Sequence, residues 1–148
     1  MTFFHHKKYK ELTLKEAHDI FAIRSEVFVV EQDCVYQDID GKDPNALHII
    51  GTLENKTIAY ARIFDKNIAY RDYIAIGRIL VCKEKRALRI GHDLVDYCLK
   101  TTKKNFAKSP IKISAQAHLE LFYNQHGFQK KGKGYLEDGI PHISMVIE

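Results

Sequence analysis

The residues with the clearest chemical implication lie in one short basic stretch. Four cations, Lys83, Lys85, Arg86 and Arg89, fall within seven residues and are followed by Gly91. Apolar residues then recur at helical spacing, so the stretch leads into the N-terminus of a helix. Free backbone N–H groups and the helix dipole favour an anion there, which predicts a phosphate-binding turn. The sequence contains neither G-x-G-x-x-G nor G-x-x-x-x-G-K-[ST], which argues against a dinucleotide fold and a P-loop.

Two arginines stand in otherwise apolar segments. Arg24 shares the apolar side of a predicted helix with Phe28. Arg78 is the single charged residue of the apolar segment Tyr73–Cys82. A buried cation is costly unless it is paired, so each arginine is interpreted as half of an ion pair or as an anchor for an acidic group of a substrate. For Arg78 we favour the substrate.

The sequence does not predict a metal site or a disulfide. Asp38, Asp40 and Asp43 lie in a polar loop, but the glycine and glutamate spacing of a calcium loop is absent. The three cysteines are odd in number and lack C-x-x-C spacing, which favours free thiols. Cys34 could be a nucleophile, although no neighbouring residue marks it as activated, and a half-buried thiol is the favoured interpretation.

Length and composition indicate one domain, residues 1–148. The chain has 148 residues, 45% of them hydrophobic, and a formal net charge of +4. No apolar run approaches the roughly 18 residues of a membrane span, and the first residues do not resemble a secretory signal, so a cytoplasmic location is expected. The basic clusters suit a polyphosphate or an acidic partner. No helix-turn-helix or RNP-like pattern is present, so no nucleic acid is expected.

The segments that position these residues are strands and helices in alternation. The predicted strands are Phe3–Lys10, His48–Glu54, Thr57–Asp65, Tyr73–Cys82, Ile111–Ala115, Phe128–Lys133 and Ile140–Glu148. The predicted helices are one that begins at the capping box of Thr13 and Glu16, a crossover helix over Gly91–Phe106, and a short helix over Leu119–His126 that ends at Gly127. Because the crossover helix separates two strands, those strands should be parallel neighbours. Gly77, inside a strand, predicts a bulge.

Two motifs resemble those of the GNAT N-acetyltransferases. Arg86–Gly91 is similar to the acyl-CoA-binding turn [QR]-x-x-G-x-[GA], with Arg89 where a glycine is usual. Gln116–Phe128 resembles the second signature, a polar amide followed by a helix that ends in Tyr-x-x-x-Gly-Phe. The motifs occur in the family's order, with the crossover helix between them. Four further stretches are similar to the ElaA branch of this family, namely Val27–Cys34, Tyr36–Gly41, Ala115–Leu119 and Glu137–His142.

The resemblance implies a fold and a cosubstrate. The implied fold is an α/β (α+β) domain with a mixed, mostly antiparallel central sheet, helices on both faces and two parallel strands that splay apart. Acetyl-CoA would be the cosubstrate, with its pantetheine arm in a gap that a bulge at Gly77 helps to open. The implied cofactor-binding residues are Ile79, Leu80, Val81, Arg86, Ala87, Leu88, Arg89, Ile90, Gly91, His92, Gln116 and Tyr123.

The resemblance also implies direct acetyl transfer to a primary amine. The N–H of Ile79 would face the thioester carbonyl and that of Val81 the pantetheine. Tyr123 would act as the general acid toward the departing thiolate, and Gln116 would position the pantetheine. Lys83, Lys85 or Arg89 could meet the 3′-phosphate.

The general base is left open by the sequence, because the strand before the phosphate turn carries no carboxylate. The candidates are Glu31, His118 and His142, each with a structural alternative. Glu31 could instead pair with Arg24 or Arg78, and His118 could bond the backbone at a helix N-terminus. The predicted substrate-binding residues are Arg24, Glu31, Gln32, Arg78 and His142.

The implied partner is a small-molecule or peptide amine, and a homodimer is left open. A second class of protein also stays open, an acyl-CoA-binding sensor without efficient catalysis. Tyr123 favours an enzyme, while the missing strand carboxylate leaves room for the sensor.

Overall fold

The fold is built on one eight-stranded sheet. A computed structural model describes all residues, 1–148. The strands are β1 (Phe3–Lys8), β2 (Leu47–Leu53), β3 (Lys56–Phe64), β4 (Ile74–Val81), β5 (Ile111–Gln116), β6 (Gln129–Lys130), β7 (Tyr135–Glu137) and β8 (Ile140–Ile147). The helices are α1 (Leu14–Arg24), α2 (Ile90–Asn105) and α3 (Glu120–Asn124). None of them is long and apolar enough to cross a membrane.

The sheet is mixed and mostly antiparallel, as the resemblance implied. Its order is β1-β2-β3-β4-β5-β8-β6, with β7 also paired to β8. Only β4 and β5 run parallel, because α2 crosses over between them. The other neighbouring strands run antiparallel.

Helix α1 covers one face of the sheet. Its capping box forms as predicted, since Thr13 Oγ1 accepts the N–H of Glu16 at 3.0 Å and Glu16 Oε1 accepts the N–H of Thr13 at 2.9 Å. The helix then continues as a π-helical segment over Ser25–Glu31. Buried side chains of this layer, among them Ile20, pack on Tyr60 and Leu80 of the sheet.

Helix α2 covers the other face. Its buried residues Leu94, Val95 and Cys98 join the larger core with apolar side chains of β3, β4, β5 and β8. Along β5 the buried side chains are Ile111, Ile113 and Ala115. Because side chains alternate along a strand, Ser114 and Gln116 of β5 point to the opposite face, the one that α1 partly covers.

Near the C-terminus, two predicted elements differ from the observed ones and one strand was not predicted. The short helix begins with a 3₁₀ turn at Ala117–Leu119 and is α-helical only over Glu120–Asn124, although Gly127 ends it with a left-handed φ of 93°. The strand expected over Phe128–Lys133 is ordered as a strand only at Gln129–Lys130. The sequence prediction missed β7, whose three exposed residues carry no buried alternation.

Candidate active site

Strands β4 and β5 separate soon after they begin. They pair only at Ile74 with Ile111 and at Ala75 with Lys112, although both strands continue further. Past these pairs each strand keeps its other neighbour, β3 for β4 and β8 for β5. A gap between two backbone edges therefore opens in the middle of the sheet, as the family resemblance implied.

A bulge in β4 marks the start of the gap. The register with β3 passes from Gly77 opposite Arg62 to Leu80 opposite Tyr60, so that two residues stand opposite Ala61. These two residues are Arg78 and Ile79. The prediction that Gly77 forms the bulge was wrong: Gly77 keeps its strand pairing, and the left-handed residue is Arg78, with a φ of 51°.

The bulge and the pairing with β3 decide which backbone groups face the gap. Cys82 donates its N–H to Ile58 O of β3 at 2.8 Å, and the backbone of Leu80, two residues earlier, faces the same neighbour. In an antiparallel pair alternate residues turn to the neighbour, so Val81 turns to the gap. Beyond the bulge, the same alternation turns the N–H of Ile79 to the gap. Leu80 does not reach it, since its backbone faces β3 and its side chain is buried against Tyr60, which corrects its prediction as a cofactor-binding residue.

A cavity of about 600 Å³ adjoins the gap. It lies between β4, β5, the loop after the π-helical segment and the turn from β7 to β8. Its polar and charged lining includes Gln32, Cys34, Gln37, Asp40, Lys42, Arg62, Arg78, Ser114, Gln116, Glu137, Asp138 and His142, with Tyr36, Tyr70 and Tyr123 among the aromatic residues. Four predicted site residues, Gln32, Arg78, Gln116 and His142, thus meet at one cavity with Ile79 and Tyr123.

His142 is buried at the edge of this cavity, with 8% of its surface exposed. Its Nδ1 lies 2.7 Å from the carbonyl oxygen of Ile140, which can only accept, so Nδ1 carries the proton. Its Nε2 lies 3.4 Å from Glu137 Oε2. The other oxygen of Glu137 accepts a hydrogen bond from Ser114 Oγ at 3.3 Å, and the Tyr135 hydroxyl bonds the same Oγ. These hydrogen bonds hold the Glu137 carboxylate beside the unprotonated nitrogen of the His142 imidazole.

Tyr123 lies on the α2 side of the sheet and is 6% exposed. It packs edge-on against Phe122 and Phe128, with ring centroids 5.0 and 6.0 Å away. Burial raises the pKa of its hydroxyl, so the phenol stays protonated at neutral pH. Tyr123 and His142 thus reach the cavity from opposite faces of the sheet.

Glu31 does not line the cavity, contrary to its prediction as a base or substrate ligand. Its carboxylate forms a two-point ion pair with the guanidinium of Arg86, in which Nη2 lies 2.7 Å from Oε1. The hydrogen bonds from Arg86 lower the pKa of Glu31, which makes it a weaker base. The predicted alternative of an ion pair was right in kind, but the partner is neither Arg24 nor Arg78.

Two other predicted residues also lie away from the cavity. His118 is exposed on the 3₁₀ turn and does not line the cavity, so it is not placed to act as the base. Arg24 is fully buried and binds Asp38 and Asp43 through Nε at 2.9 Å and Nη1 at 2.7 Å. Arg24 therefore ties the loop to α1 rather than contacting a substrate.

The loop carboxylates and three arginines form one buried network. Besides Arg24, Arg62 binds Asp40 at 2.6 Å and Asp43 at 3.0 Å. Burial alone would raise the pKa of Asp40, but the hydrogen bonds from Arg62 and the Lys42 N–H hold it below its usual range. The network gives the polar loop a defined shape over the cavity. The role of Arg62 was not predicted from the sequence, because its segment was interpreted only as a strand.

The predicted phosphate turn lies at the entrance of α2. Residues Lys83–Leu88 form a 3₁₀ turn, and Arg89 caps α2 with a left-handed φ of 61°. The first helical bond runs from the Asp93 N–H to Arg89 O at 3.1 Å, so the N–H groups of Ile90, Gly91 and His92 precede the helical ladder. A left-handed backbone at position 89 explains why a glycine is usual there in the motif.

His92 adds a further polar chain at this end of α2. Its Nδ1 lies 2.9 Å from His126 Nε2, and His126 Nδ1 lies 3.1 Å from Asp96 Oδ1. Arg86 also donates through Nε to Val81 O at 3.0 Å, which joins the turn to the open edge of β4. The gap and the helix N-terminus are therefore continuous.

Known proteins resemble this chain over nearly its whole length. Residues 8–148 match the acetyltransferase (GNAT) domain family. The Escherichia coli protein ElaA is 39% identical over 95% of this chain and 92% of its own length, and a Synechocystis UPF0039 protein is 38% identical over the same shares. The crystal structure of E. coli ElaA superposes with a TM-score of 0.93 at 37% identity, covering 100% of both chains. An acyl-CoA N-acyltransferase from Pseudomonas aeruginosa superposes with a TM-score of 0.94 at 35% identity, covering 100% of both chains.

Proposed function

The chain belongs to the GNAT acetyltransferase family, and from that premise we propose that it transfers the acetyl group of acetyl-CoA directly to a primary amine. Membership makes it an acyl-CoA-dependent acyltransferase. The choice of acetyl and of an amine acceptor is the proposal. The observation that carries it is the gap between β4 and β5, with Tyr123 on one face of the sheet and His142 on the other.

The chain has groups that fit an acyl-CoA. The gap-facing N–H groups of Ile79 and Val81 are two donors on one strand edge that can bind the thioester carbonyl and an amide carbonyl of the pantetheine arm. The free N–H groups before the helical ladder of α2, together with Lys83, Lys85 and Arg89, suit a diphosphate and a 3′-phosphate. Arg86 belongs to the phosphate turn and donates to Val81 O at the edge of the gap, so it lies between the two binding regions.

Acyl-CoA supplies a thioester whose carbonyl oxygen gains negative charge during transfer. The N–H of Ile79 stabilises that charge, a contribution that is usually among the largest in acyl transfer. Gln116 at the end of β5 orients the arm from the other edge of the gap.

His142 takes the proton of the attacking amine on Nε2, because Nδ1 is committed to Ile140 O. Glu137 stabilises the imidazolium that results. Tyr123 gives a proton to the thiolate on the other face, since its phenol is protonated at neutral pH. Base and acid thus act from opposite sides of the sheet without competing for one site.

The test is a thermal melt followed by an assay of thiol release. Acetyl-CoA and CoA should raise the melting midpoint, while ATP should not, because a ligand that binds the native state stabilises it. Tyr123→Phe should keep this shift and lower kcat by about 10- to 100-fold. Phe122→Leu, next to it in the chain, is the matched control for packing. Binding without transfer to any amine would support an acyl-CoA sensor, and no shift at saturating ligand would refute the proposal.

A further inference from the structure

Arg78 has one unpaired nitrogen of its guanidinium at the cavity. Its Nε lies 2.7 Å from Asp38 Oδ1, and its Nη2 donates to Asp38 O at 3.0 Å and lies 3.5 Å from Asp40 Oδ2. Its Nη1 has no hydrogen-bond partner in the protein, and the side chain is 22% exposed and lines the cavity. Nε and Nη2 therefore anchor the guanidinium, and Nη1 is free to donate to an anion from a fixed position.

The backbone of Arg78 is strained to hold this orientation. Its φ of 51° belongs to a region that residues other than glycine seldom adopt. Gly77, the glycine beside it, does not take that conformation. This conformation places an arginine side chain, rather than a glycine, at the point where β4 separates from β5. Arg78 directly precedes Ile79, whose N–H faces the gap.

Lys42 adds a second cation to the same wall. It lines the cavity and is exposed, and its ammonium group forms no ion pair in the protein. The three aspartates of the loop are paired with the three arginines, including Arg78, so the charge of Lys42 is not neutralised by them. Arg78 Nη1, a free donor, and Lys42, an unpaired charge, together make what we call the basic pole.

The opposite wall of the cavity is acidic. Glu137 and Asp138 come from the turn between β7 and β8 and line the cavity near His142. Neither carboxylate is bound by a lysine or an arginine, and Glu137 has only Ser114 and His142 as polar partners. A cationic amine is attracted to this acidic pole, where the proposed base also lies.

We propose that the acceptor is a zwitterion, an amine that also carries a carboxylate, with the carboxylate bound by Arg78 and Lys42 and the amine held at Glu137 and His142. This inference rests on the proposed acetyl transfer and adds the chemical class of its acceptor. A free amino acid carries both charges in one small molecule, one for each pole of the cavity. A diamine matches only the acidic pole, and a neutral amine matches neither.

The test compares acceptors in matched sets of three: an L-amino acid, its carboxamide and its decarboxylated amine. The carboxamide has a less basic amine and the decarboxylated compound a more basic one, so amine basicity does not produce a preference for the acid over both. The expected result is a kcat/KM for the acid at least 10-fold above both relatives, as for a charge-assisted hydrogen bond. Equal or better transfer to the relatives overturns the inference and leaves acetyl transfer standing. Preference for phosphoethanolamine over every amino acid overturns the carboxylate assignment.

Two variants tie the preference to the basic pole. Arg78→Gln should lower kcat/KM for acids by about 10- to 100-fold and change that for decarboxylated amines little. Arg78→Gln also removes a partner of Asp38 and could therefore prevent folding. Lys42→Gln, at an exposed position, tests the inference in that case. Its expected effect is a loss of kcat/KM of about 3- to 10-fold for acids only. Lys56→Gln, at the exposed first position of β3, is the matched control. Equal losses for acids and amines in both variants contradict the inference. Consumption of acetyl-CoA without transfer to any amine refutes the proposed function instead.

Discussion

His142 donates its Nδ1 proton to Ile140 O, so the lone pair of the neutral imidazole lies on Nε2, 3.4 Å from a Glu137 oxygen. No other candidate base combines these properties with a place in the cavity. Glu31 is held by Arg86, and His118 is exposed outside the cavity. At the scale of single residues, the structure therefore separates three candidates that the sequence left equal.

Replacing His142 by Gln should lower kcat/KM by about 100-fold, a typical contribution of a general base. Glu137→Gln should also lower kcat/KM, because a neutral amide stabilises the imidazolium less than a carboxylate does. The measurement is kcat/KM at saturating acetyl-CoA.

His118→Gln is the matched control for this series. It removes the same side chain from an exposed position outside the cavity. A loss in His118→Gln as large as that in His142→Gln, or an unchanged kcat/KM in His142→Gln, would contradict the assignment.

The sequence predicted which residue types matter better than it predicted their partners. Tyr123, Ile79, Gln116 and Arg78 could be predicted from motif spacing and from a lone charge in an apolar strand, and all four reach the cavity. The pairing of Glu31 with Arg86 joins residues 55 positions apart. Such a pair depends on how the π-helical segment lies over the phosphate turn, and local pattern contains no information on that.

Among the elements, β1 and α1 are tied together by one carboxylate. Glu16 accepts hydrogen bonds from Lys7 at 2.8 Å, from the Thr13 N–H at 2.9 Å and from His5 at 3.1 Å. Burial alone would raise its pKa, but these bonds lower it to about 2 from an ordinary 4.5. A depressed pKa means that the carboxylate stabilises the fold above about pH 4.5 and that this contribution is lost as the pH falls toward 2.

Glu16→Gln should therefore lower the free energy of unfolding at pH 7 by about 1 kcal/mol. The difference from the wild type should shrink through the window from pH 4.5 to 2, where the wild-type carboxylate becomes neutral. Urea denaturation at several pH values measures it. Glu26→Gln, at an exposed position of the π-helical segment, is the control. A difference that grows toward acid pH would mean that Glu16 is not the group that stabilises this junction.

The turn between β4 and α2 contains a residue with a strained backbone. Arg89 stands where the family pattern has glycine and takes a left-handed φ of 61°. Arg89→Gly should relieve the strain and stabilise the protein without ligand by about 0.5–1 kcal/mol, net of the entropy that glycine adds to the unfolded chain. The melting midpoint should rise by about 2 °C. The shift on adding CoA should become smaller, because one cation near the phosphates is lost.

Arg71→Gly is the control for this variant. It removes an exposed arginine whose φ is not positive, so it has only the entropic cost and should lower the midpoint. If Arg89→Gly lowers the midpoint as much as Arg71→Gly does, the left-handed conformation is not a source of strain.

For the whole molecule, periodicity and the capping box of Thr13 were sufficient to predict most strands and helices, and the crossover helix predicted the parallel pair. The mixed, mostly antiparallel sheet was implied by the resemblance of the two motifs to the GNAT family. Strand β7 could not be predicted, because its exposed residues carry no periodic apolar signal. It nevertheless carries Glu137, which completes the acidic side of the cavity.

We expect the open edge of β4 and the first turn of α2 to bind one acyl-CoA molecule together. A titration of the ¹⁵N-labelled protein with acetyl-CoA, followed by the amide resonances, tests this. The largest shifts should occur at Ile79, Val81 and the N–H groups of Ile90, Gly91 and His92, and the resonances of Leu80 and Cys82, which face β3, should move less. Large shifts confined to other parts of the sheet, or none at saturating ligand, would mean that acyl-CoA does not bind there.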